Sequence, residues 1–291
     1  MHAFITGGGG FIGRNLVIHF LNKGWRVTTI ARKPVSIQVG LDHFNFIQAD
    51  IKDLNALPSD TNLIIHCASE IPAYCPDGDV LYNNNISAAK SLFDLASRYR
   101  IPRIINLSSM SVYGQPNTGF ISETTDCLPV DLYGKSKLEI EHMLQRHAQD
   151  SSSSGYSLRL PGIVGKGSHN NFLSKTLSLA LAGRTIIASN PNSFFNNIVH
   201  ISDLVRFIEN LGRLVATAGH IPLTLGASQE IKIKQLIDKL LLLARSQSAV
   251  QWDEKGKPSF LIEFDQAKSL GFKSRTVEAS LEKFVFDINS I

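Results

Sequence analysis

The stretch "FITGGGGFIGRNLVIHFL", residues 4–21, decides the fold. Gly7, Gly10 and Gly13 stand at G-x-x-G-x-x-G spacing after a β-rich run, His2–Thr6. Before the next break in pattern, Leu16, Val17, Phe20 and Leu21 recur with the period of one helix face. Glycines at these places let the chain turn tightly, let its backbone approach a pyrophosphate and let the helix pack close to the sheet. The helix start, with Phe11 and Ile12 between the last two glycines, adds N–H groups and the positive end of the helix dipole. A strand, this loop and a helix read together as a dinucleotide-binding unit.

Further β-rich runs are Arg26–Ile30, Asn45–Ala49, Leu63–His66, Arg103–Leu107 and Tyr156–Leu160, with amphipathic stretches between most of them. Their apolar character on both faces suits a parallel sheet covered by helices on each side. The expected fold is therefore α/β, a Rossmann-type doubly wound parallel sheet. After about Pro161 the alternation loosens into helices near 171–182 and 231–245 and a strand and helix near 198–211. This predicts an NAD(P)-binding domain over 1–161 with about 190–216. A smaller C-terminal α/β substrate-binding domain is expected over about 162–189 and 217–291.

Composition narrows the class. The 291 residues are 43% hydrophobic and 19% charged, as in a folded soluble protein, and no apolar run is long enough to span a bilayer. A net charge of +4 from 29 basic and 25 acidic residues is too small and too dispersed for nucleic-acid binding. The N-terminus lacks the basic region of an export signal. Cys67, Cys75 and Cys127 are an odd set without metal spacing, which suits reduced thiols in a cytoplasmic protein, with Cys67 expected in a strand. The histidines show no ligand spacing with carboxylates or thiols, so no metal is expected; His66 and His200 fall in apolar runs and read as structural.

The end of the second strand selects the cofactor. A carboxylate there holds a ribose 2′-hydroxyl, whereas Arg accommodates the 2′-phosphate of NADP. The chain reads "TTIARKP", placing Arg32 and Lys33 at that point. Cations are worth more against a phosphate than against a hydroxyl, so NADP is favoured, with NAD possible.

In "DLYGKSKLEIEHML", residues 131–144, Tyr133 and Lys137 lie one helical turn apart on one face. A free tyrosine, with a pKa near ~10, is a poor acid–base catalyst at neutral pH. An opposite charge ~4 Å away at an effective dielectric of ~20 attracts by about 4 kcal/mol. That is roughly three pKa units before desolvation is deducted, enough to bring a tyrosinate toward the working pH. Upstream, "RIINLSSMSVYG" puts Ser108 and Ser109 at the carboxyl edge of a strand, where open α/β sheets bind ligands. Ser109 is placed to hydrogen-bond the substrate oxygen that Tyr133 protonates or deprotonates.

T-G-x-x-G-x-x-G from Thr6, S-S-x-x-V-Y-G from Ser108 and Y-x-x-x-K from Tyr133, in this order, resemble the extended short-chain dehydrogenase/reductase superfamily in its NAD-dependent epimerase/dehydratase branch. The resemblance covers nearly the whole chain. It implies that Ser109 positions a carbonyl or carbinol, that Tyr133 is the general acid/base, and that Lys137 lowers its pKa and binds the nicotinamide ribose. By the same resemblance Asp50 and Ile51 lie at the adenine, Cys67, Ala68 and Ser69 beside the cofactor, Asn85 at the start of the next helix as a further cofactor contact, and Pro161 near the nicotinamide. It also implies a homodimer through a four-helix bundle that includes the Tyr–Lys helix.

Dehydratases of this kind carry a Thr/Ser-Asp-Glu run where this chain has Ser109-Met110-Ser111, so epimerisation or reduction is expected instead. The substrate end departs from the nucleotide-sugar pattern. Asn196 stands where relatives have Arg, and Lys255 and Lys257 stand near the place of another. Neither reproduces bidentate Arg–phosphate recognition. Ser109, Ser111, Asn171 and Asn196 are the substrate-binding candidates, with Asn170, Lys175 and Asn197 as further polar neighbours; Phe194 and Phe195 read as core or as flanking a base. Three readings follow, the first favoured: an oxidoreductase or epimerase acting on a nucleotide-linked sugar; an NADPH-dependent reductase of a carbonyl without a nucleotide; and a non-catalytic NADP-binding sensor or scaffold.

Overall fold

A computed structural model gives the fold and describes residues 1–35, 37, 43–116, 118–253 and 259–289. In chain order the first elements are β1 (His2–Thr6), α1 (Phe11–Asn22), β2 (Arg26–Ala31), β3 (Phe44–Gln48), β4 (Leu63–His66), α2 (Gly78–Arg98), β5 (Arg103–Ser109), β6 (Phe120–Ile121), α3 (Leu132–Ser151) and β7 (Ser154–Leu160). Then come β8 (Gly162–Val164), α4 (Phe172–Leu181), β9 (Ile186–Ser189), β10 (Phe194–Phe195), β11 (Ile198–His200), α5 (Ile201–Arg213) and β12 (Gly219–Thr224). The last are β13 (Ile231–Lys232), α6 (Ile233–Leu243), β14 (Val250–Asp253), β15 (Leu261–Ile262), α7 (Asp265–Ser269) and α8 (Val277–Asn289). No helix among the described residues is long and apolar enough to cross a membrane.

The chain divides into two compact units. The first comprises Met1–Gly114, Cys127–Arg159 and Val205–Leu223. Its seven-stranded sheet has the order β12-β7-β5-β4-β1-β2-β3, and β1 pairs in parallel with both β2 and β4. Strands run outward from β1 through β2 to β3, and the chain then returns to lay β4 on the other flank of β1. The carboxyl ends of β1 and β4 thus frame a topological switch point, the place where open α/β sheets bind ligands. Every residue of β1 and of β4 is buried, as expected for a sheet covered on both faces. One core joins Phe4, Ile30, Ile64 and Ile104 of the strands to Leu92, Phe93 and Ala96 of α2 and to Ile140 and Leu144 of α3. Each such Leu, Ile or Phe stabilises the fold by about 1.5–3 kcal/mol, so this core fixes the two helices that carry the site.

The second unit comprises Gln115–Asp126, Leu160–Leu204 and Thr224–Ile291. It is built from two-stranded pairs, β8 with β11, β9 with β14, β10 with β13 and β6 with β15. Its own core joins Leu173 and Leu177 of α4, Leu236 and Leu240 of α6, and Leu281 and Phe284 of α8. The boundaries differ from those expected: 115–126, 160–161 and 190–204 belong to this unit and 217–223 to the first. Pairing explains the shift, because Ile198–His200 lies against Gly162–Val164 rather than in the large sheet. Phe195 is buried in this core, whereas Phe194 is exposed. Lys255 and Lys257 lie outside the described residues.

Candidate active site

The glycine loop has the conformation its spacing demands. Gly7 has φ +72°, and a Cβ there would stand 2.9 Å from the Ala68 backbone, so only glycine fits between β1 and the end of β4. At Gly13 a Cβ would meet the Gly7 carbonyl oxygen at 2.2 Å, which is why α1 can lie against the loop that precedes it. The Gly7 carbonyl accepts from the Gly10 N–H at 2.9 Å. Gly10 caps α1 without any side-chain hydrogen bond, and a helix start capped in this way offers its N–H groups and positive dipole end to an anion. These residues fit the pyrophosphate of a dinucleotide.

Thr6, at the end of β1, organises the neighbouring strand end. Its Oγ1 accepts from the Cys67 and Ala68 N–H groups, both at 3.1 Å, and lies 3.0 Å from His66 Nδ1. With two donors already on the oxygen, its own proton goes to His66 Nδ1, which holds a neutral imidazole. Cys67 therefore sits just beyond β4 rather than within it, and burial pushes its thiol pKa up. Asn85, expected at the start of its helix, lies well inside α2, which starts at Gly78, and ties down the same segment. Its Oδ1 accepts from the Glu70 N–H at 2.7 Å and its Nδ2 donates to the Glu70 carbonyl at 3.1 Å, while Ser69 Oγ donates to the Glu70 carbonyl. Expected as a cofactor contact, Asn85 is 3% exposed and spends its amide on protein groups, so its role is to shape this rim. Asp50 accepts from the Lys52 N–H as the cap of a short 3₁₀ turn, and Ile51 beside it is buried in the core. Arg32 pairs with Glu70 at 2.7 Å, and Lys33 is exposed next to it.

Ser109, Tyr133 and Lys137 come together as their spacing predicts. The Asp131 carboxylate caps α3 by accepting from the Gly134 N–H at 2.7 Å, which sets Tyr133 in the first turn and Lys137 one turn later. Tyr133 stands beside Ser109, the last residue of β5, close enough for the serine to lower the phenol's pKa. Ser109 Oγ also accepts from the Ser111 N–H and donates to Ser111 Oγ, so Ser111 orients it. Lys137 Nζ lies 5.7 Å from the centre of the Tyr133 ring and donates to the Leu107 carbonyl at 2.9 Å. The expected electrostatics need correction. Tyr133 has its pKa raised, because burial and then the Asp131 carboxylate outweigh the lowering by Ser109. Lys137 is buried and its own pKa falls to about 8. Lys137 is not among the groups that shift the Tyr133 pKa; its ammonium is anchored on β5 by the Leu107 carbonyl.

Sequence reasoning missed what lies beneath these three. Glu141, one turn beyond Lys137, accepts from Ser108 Oγ and forms a buried ion pair with Arg159 of β7 at 2.8 Å. Arg159 also donates to the Tyr113 hydroxyl at 2.8 Å. The available signal was a carboxylate at the i+4 position from Lys137, flanked by the buried Ile140 and Leu144.

The second unit holds the other substrate candidates and a cleft of about 620 Å³, its walls including Phe172, Phe195, Phe260 and Ile187 with Asn171 and Asn197. Asn171 caps α4, accepting from the Ser174 N–H at 2.8 Å and donating to the Ile163 carbonyl at 2.9 Å. Its side chain is thus occupied by the fold. Asn196 is likewise corrected: buried, it donates to the Ile262 carbonyl at 2.8 Å and accepts from the Ile262 N–H at 2.9 Å, bracketing two segments of chain. Asn197 donates to the Phe260 carbonyl, and its buried Oδ1 has no partner among the described residues. Pro161 belongs to this unit, between β7 and β8. No group of described residues is arranged to hold a metal ion.

The profile of the NAD dependent epimerase/dehydratase family matches residues 3–217. The UDP-glucose 4-epimerase of Dictyostelium discoideum is 25% identical over 312 aligned positions, covering 93% of this chain and 90% of that protein. Protein YeeZ of Escherichia coli K12 is 31% identical over 223 positions, 73% of each chain. The chain spans 44% of the length of another curated relative that it matches. Among solved structures, MoeE5 in complex with UDP-glucose and NAD superposes with a TM-score of 0.83 at 23% identity over 98% of both chains, a likeness of fold. With the glycine loop, the Ser–Tyr–Lys cluster and a family match over most of its length, the chain belongs to the NAD-dependent epimerase/dehydratase family.

Proposed function

We propose that this protein is an NAD(P)-dependent epimerase or reductase that moves hydride to or from a carbon of a sugar carried on a nucleotide. The observation that carries this reading is the convergence of Ser109 and Tyr133, with Lys137 one turn behind and 5.7 Å from the tyrosine ring, at the carboxyl end of β5. The nicotinamide, when bound, supplies the carbon that accepts or gives the hydride. Gly7, Gly10, Phe11, Ile12 and Gly13 would hold its pyrophosphate, and Arg32 with Lys33, just after β2, would meet a 2′-phosphate, so NADP is included alongside NAD. Ser109 binds the reacting oxygen, and Tyr133 gives or takes its proton. Met110 and Ser111 offer no carboxylate to abstract a proton next to a ketone, which argues against dehydration.

The nucleotide part of the reading draws on the Dictyostelium relative and on the second unit's cleft, where Phe172, Phe195 and Phe260 suit a planar base and the orphaned Asn197 Oδ1 suits an N–H donor. A reductase of a carbonyl without a nucleotide is the second reading, favoured by one observation: Asn196, in the place of a phosphate-binding arginine, is committed to Ile262. A thermal-shift series of UDP-, GDP- and TDP-sugars with NADPH or NADH separates the two, since a ligand stabilises by the logarithm of its concentration over its Kd. Tyr133→Phe should then abolish turnover of the stabilising sugar with cofactor affinity nearly unchanged. Retained turnover would refute the role given to Tyr133, and a shift from no nucleotide sugar would refute the first substrate reading.

A further inference from the structure

The Arg32–Glu70 ion pair joins residues that follow two different strands, Arg32 directly after β2 and Glu70 four residues beyond β4. β1 lies between these strands in the sheet, so the pair reaches across the carboxyl end of β1, where the glycine loop begins. Adjacent strands are ~4.8 Å apart, and the bridge therefore spans about 10 Å of sheet edge. The two partners are not equivalent. The Glu70 side chain is 18% exposed, and its backbone N–H and carbonyl are both fastened by Asn85, so the carboxylate is the fixed post. The Arg32 side chain is 64% exposed and is the movable arm.

A dinucleotide laid along the glycine loop brings its adenosine ribose to the end of β2. There a 2′-phosphate needs the Arg32 guanidinium, which a carboxylate already engages, and it also meets the negative charge of that carboxylate. A 2′-hydroxyl needs neither concession. We propose that Glu70 is a specificity-determining residue: it holds Arg32 in competition with the 2′-phosphate, so the balance between NAD and NADP is set by the pair and not by Arg32 alone. This rests on the dinucleotide reading above.

The test is a fluorescence titration of the full chain with NADPH and with NADH, for the parent, Glu70→Gln, Arg32→Gln and the double variant. Gln preserves the side chain's shape, and the Asn85 bonds are to backbone, so the rim keeps its form. Glu70→Gln should tighten NADPH about three- to fivefold, the range set by a partly exposed ion pair, and leave NADH within about twofold. The gain should shrink in the Arg32→Gln background and as salt is raised. A parent that binds both cofactors but whose Glu70→Gln variant shifts neither, or shifts both alike, overturns the role of Glu70 alone. A parent that binds neither cofactor overturns the dinucleotide reading and this proposal with it.

Discussion

Lys137 donates its ammonium group to the Leu107 carbonyl at 2.9 Å from a position only 4% exposed. Burial draws its pKa down to about 8, with Cys67 and Glu141 pulling the other way. The folded pKa is below the unfolded one, so between pH 8 and about 10.5 the unfolded chain holds more protons. Below pH 8 the whole cost of a buried charge is present. Lys137→Met should therefore abolish turnover and yet raise the stability of the chain without ligands, by about 1 kcal/mol once the unpaired Leu107 carbonyl is deducted. Thermal melts at pH 7 check this; a lowered Tm would show that the lysine's contacts outweigh its desolvation.

The buried pair beneath the site should behave in the opposite way. Glu141→Gln leaves the Arg159 guanidinium inside the fold without its counter-charge, which costs about 3–5 kcal/mol. Glu141→Leu combined with Arg159→Leu removes both charges and should recover much of that loss. Urea unfolding of the singles and the double measures the coupling. Equal losses in singles and double would mean that packing, not charge, is at stake.

The sheet, the glycine loop and the Ser–Tyr–Lys cluster were legible because each depends on short-range spacing: one turn between Tyr133 and Lys137, three residues between glycines. What escaped depends on contacts distant in sequence. Glu70 meets Arg32 across 38 positions, the difference of their numbers, and Arg159 meets Glu141 between elements that no periodicity connects. The pKa of Tyr133 was misjudged for a related reason: the helix spacing shows that Lys137 is near, but only the packing shows how dry the phenol is and that Asp131 faces it. Asn171 and Asn196 read as ligand groups because a polar residue in a loop looks the same whether it caps a helix or binds a sugar.

Acid should destabilise the fold through its buried histidines. Burial lowers the pKa of His66 to about 3 and of His200 and His220 to about 4. For each, the folded value lies below the unfolded ~6.5, so the unfolded chain takes up protons first as pH falls. The contribution is complete above pH 6.5 and is lost between about 6.5 and 4, at about 1.4 kcal/mol per pH unit for each histidine. Tm should drop steeply from pH 6.5 to 4.5, and His220→Gln should lower the slope by one proton. A flat profile over that range would contradict the burial of neutral imidazoles.

The resemblance predicts a dimer through a four-helix bundle that includes α3, but the exposed positions of α3, and of α2 packed against it, are largely polar: Asn83, Ser87, Lys90, Asp94 and Arg98 on α2, and Lys135, His142, Gln145, Arg146 and Gln149 on α3. Stable homodimer interfaces are more apolar than this. At micromolar concentration light scattering should give the mass of one chain, 32.0 kDa. A stable dimer that Lys90→Glu and Arg146→Glu together dissociate would overturn the inference drawn from that polarity.

Asn196 provides a way to separate folding from recognition in the second unit. Its amide oxygen and nitrogen both bond the Ile262 backbone, and its carbonyl accepts from the Ala227 N–H at 2.9 Å. Asn196→Ala would strand a buried donor and a buried acceptor of Ile262, at about 1–3 kcal/mol for each unmet group. Asn196→Asp keeps the acceptor for the Ile262 N–H but sets a carboxylate against the Ile262 carbonyl, so it should lose nearly as much. If Asn196 were instead a substrate ligand, the Ala variant would keep its unfolding midpoint and lose only affinity. Urea midpoints and nucleotide-sugar titrations on the same two variants decide between these, and an unchanged midpoint would return Asn196 to the binding surface.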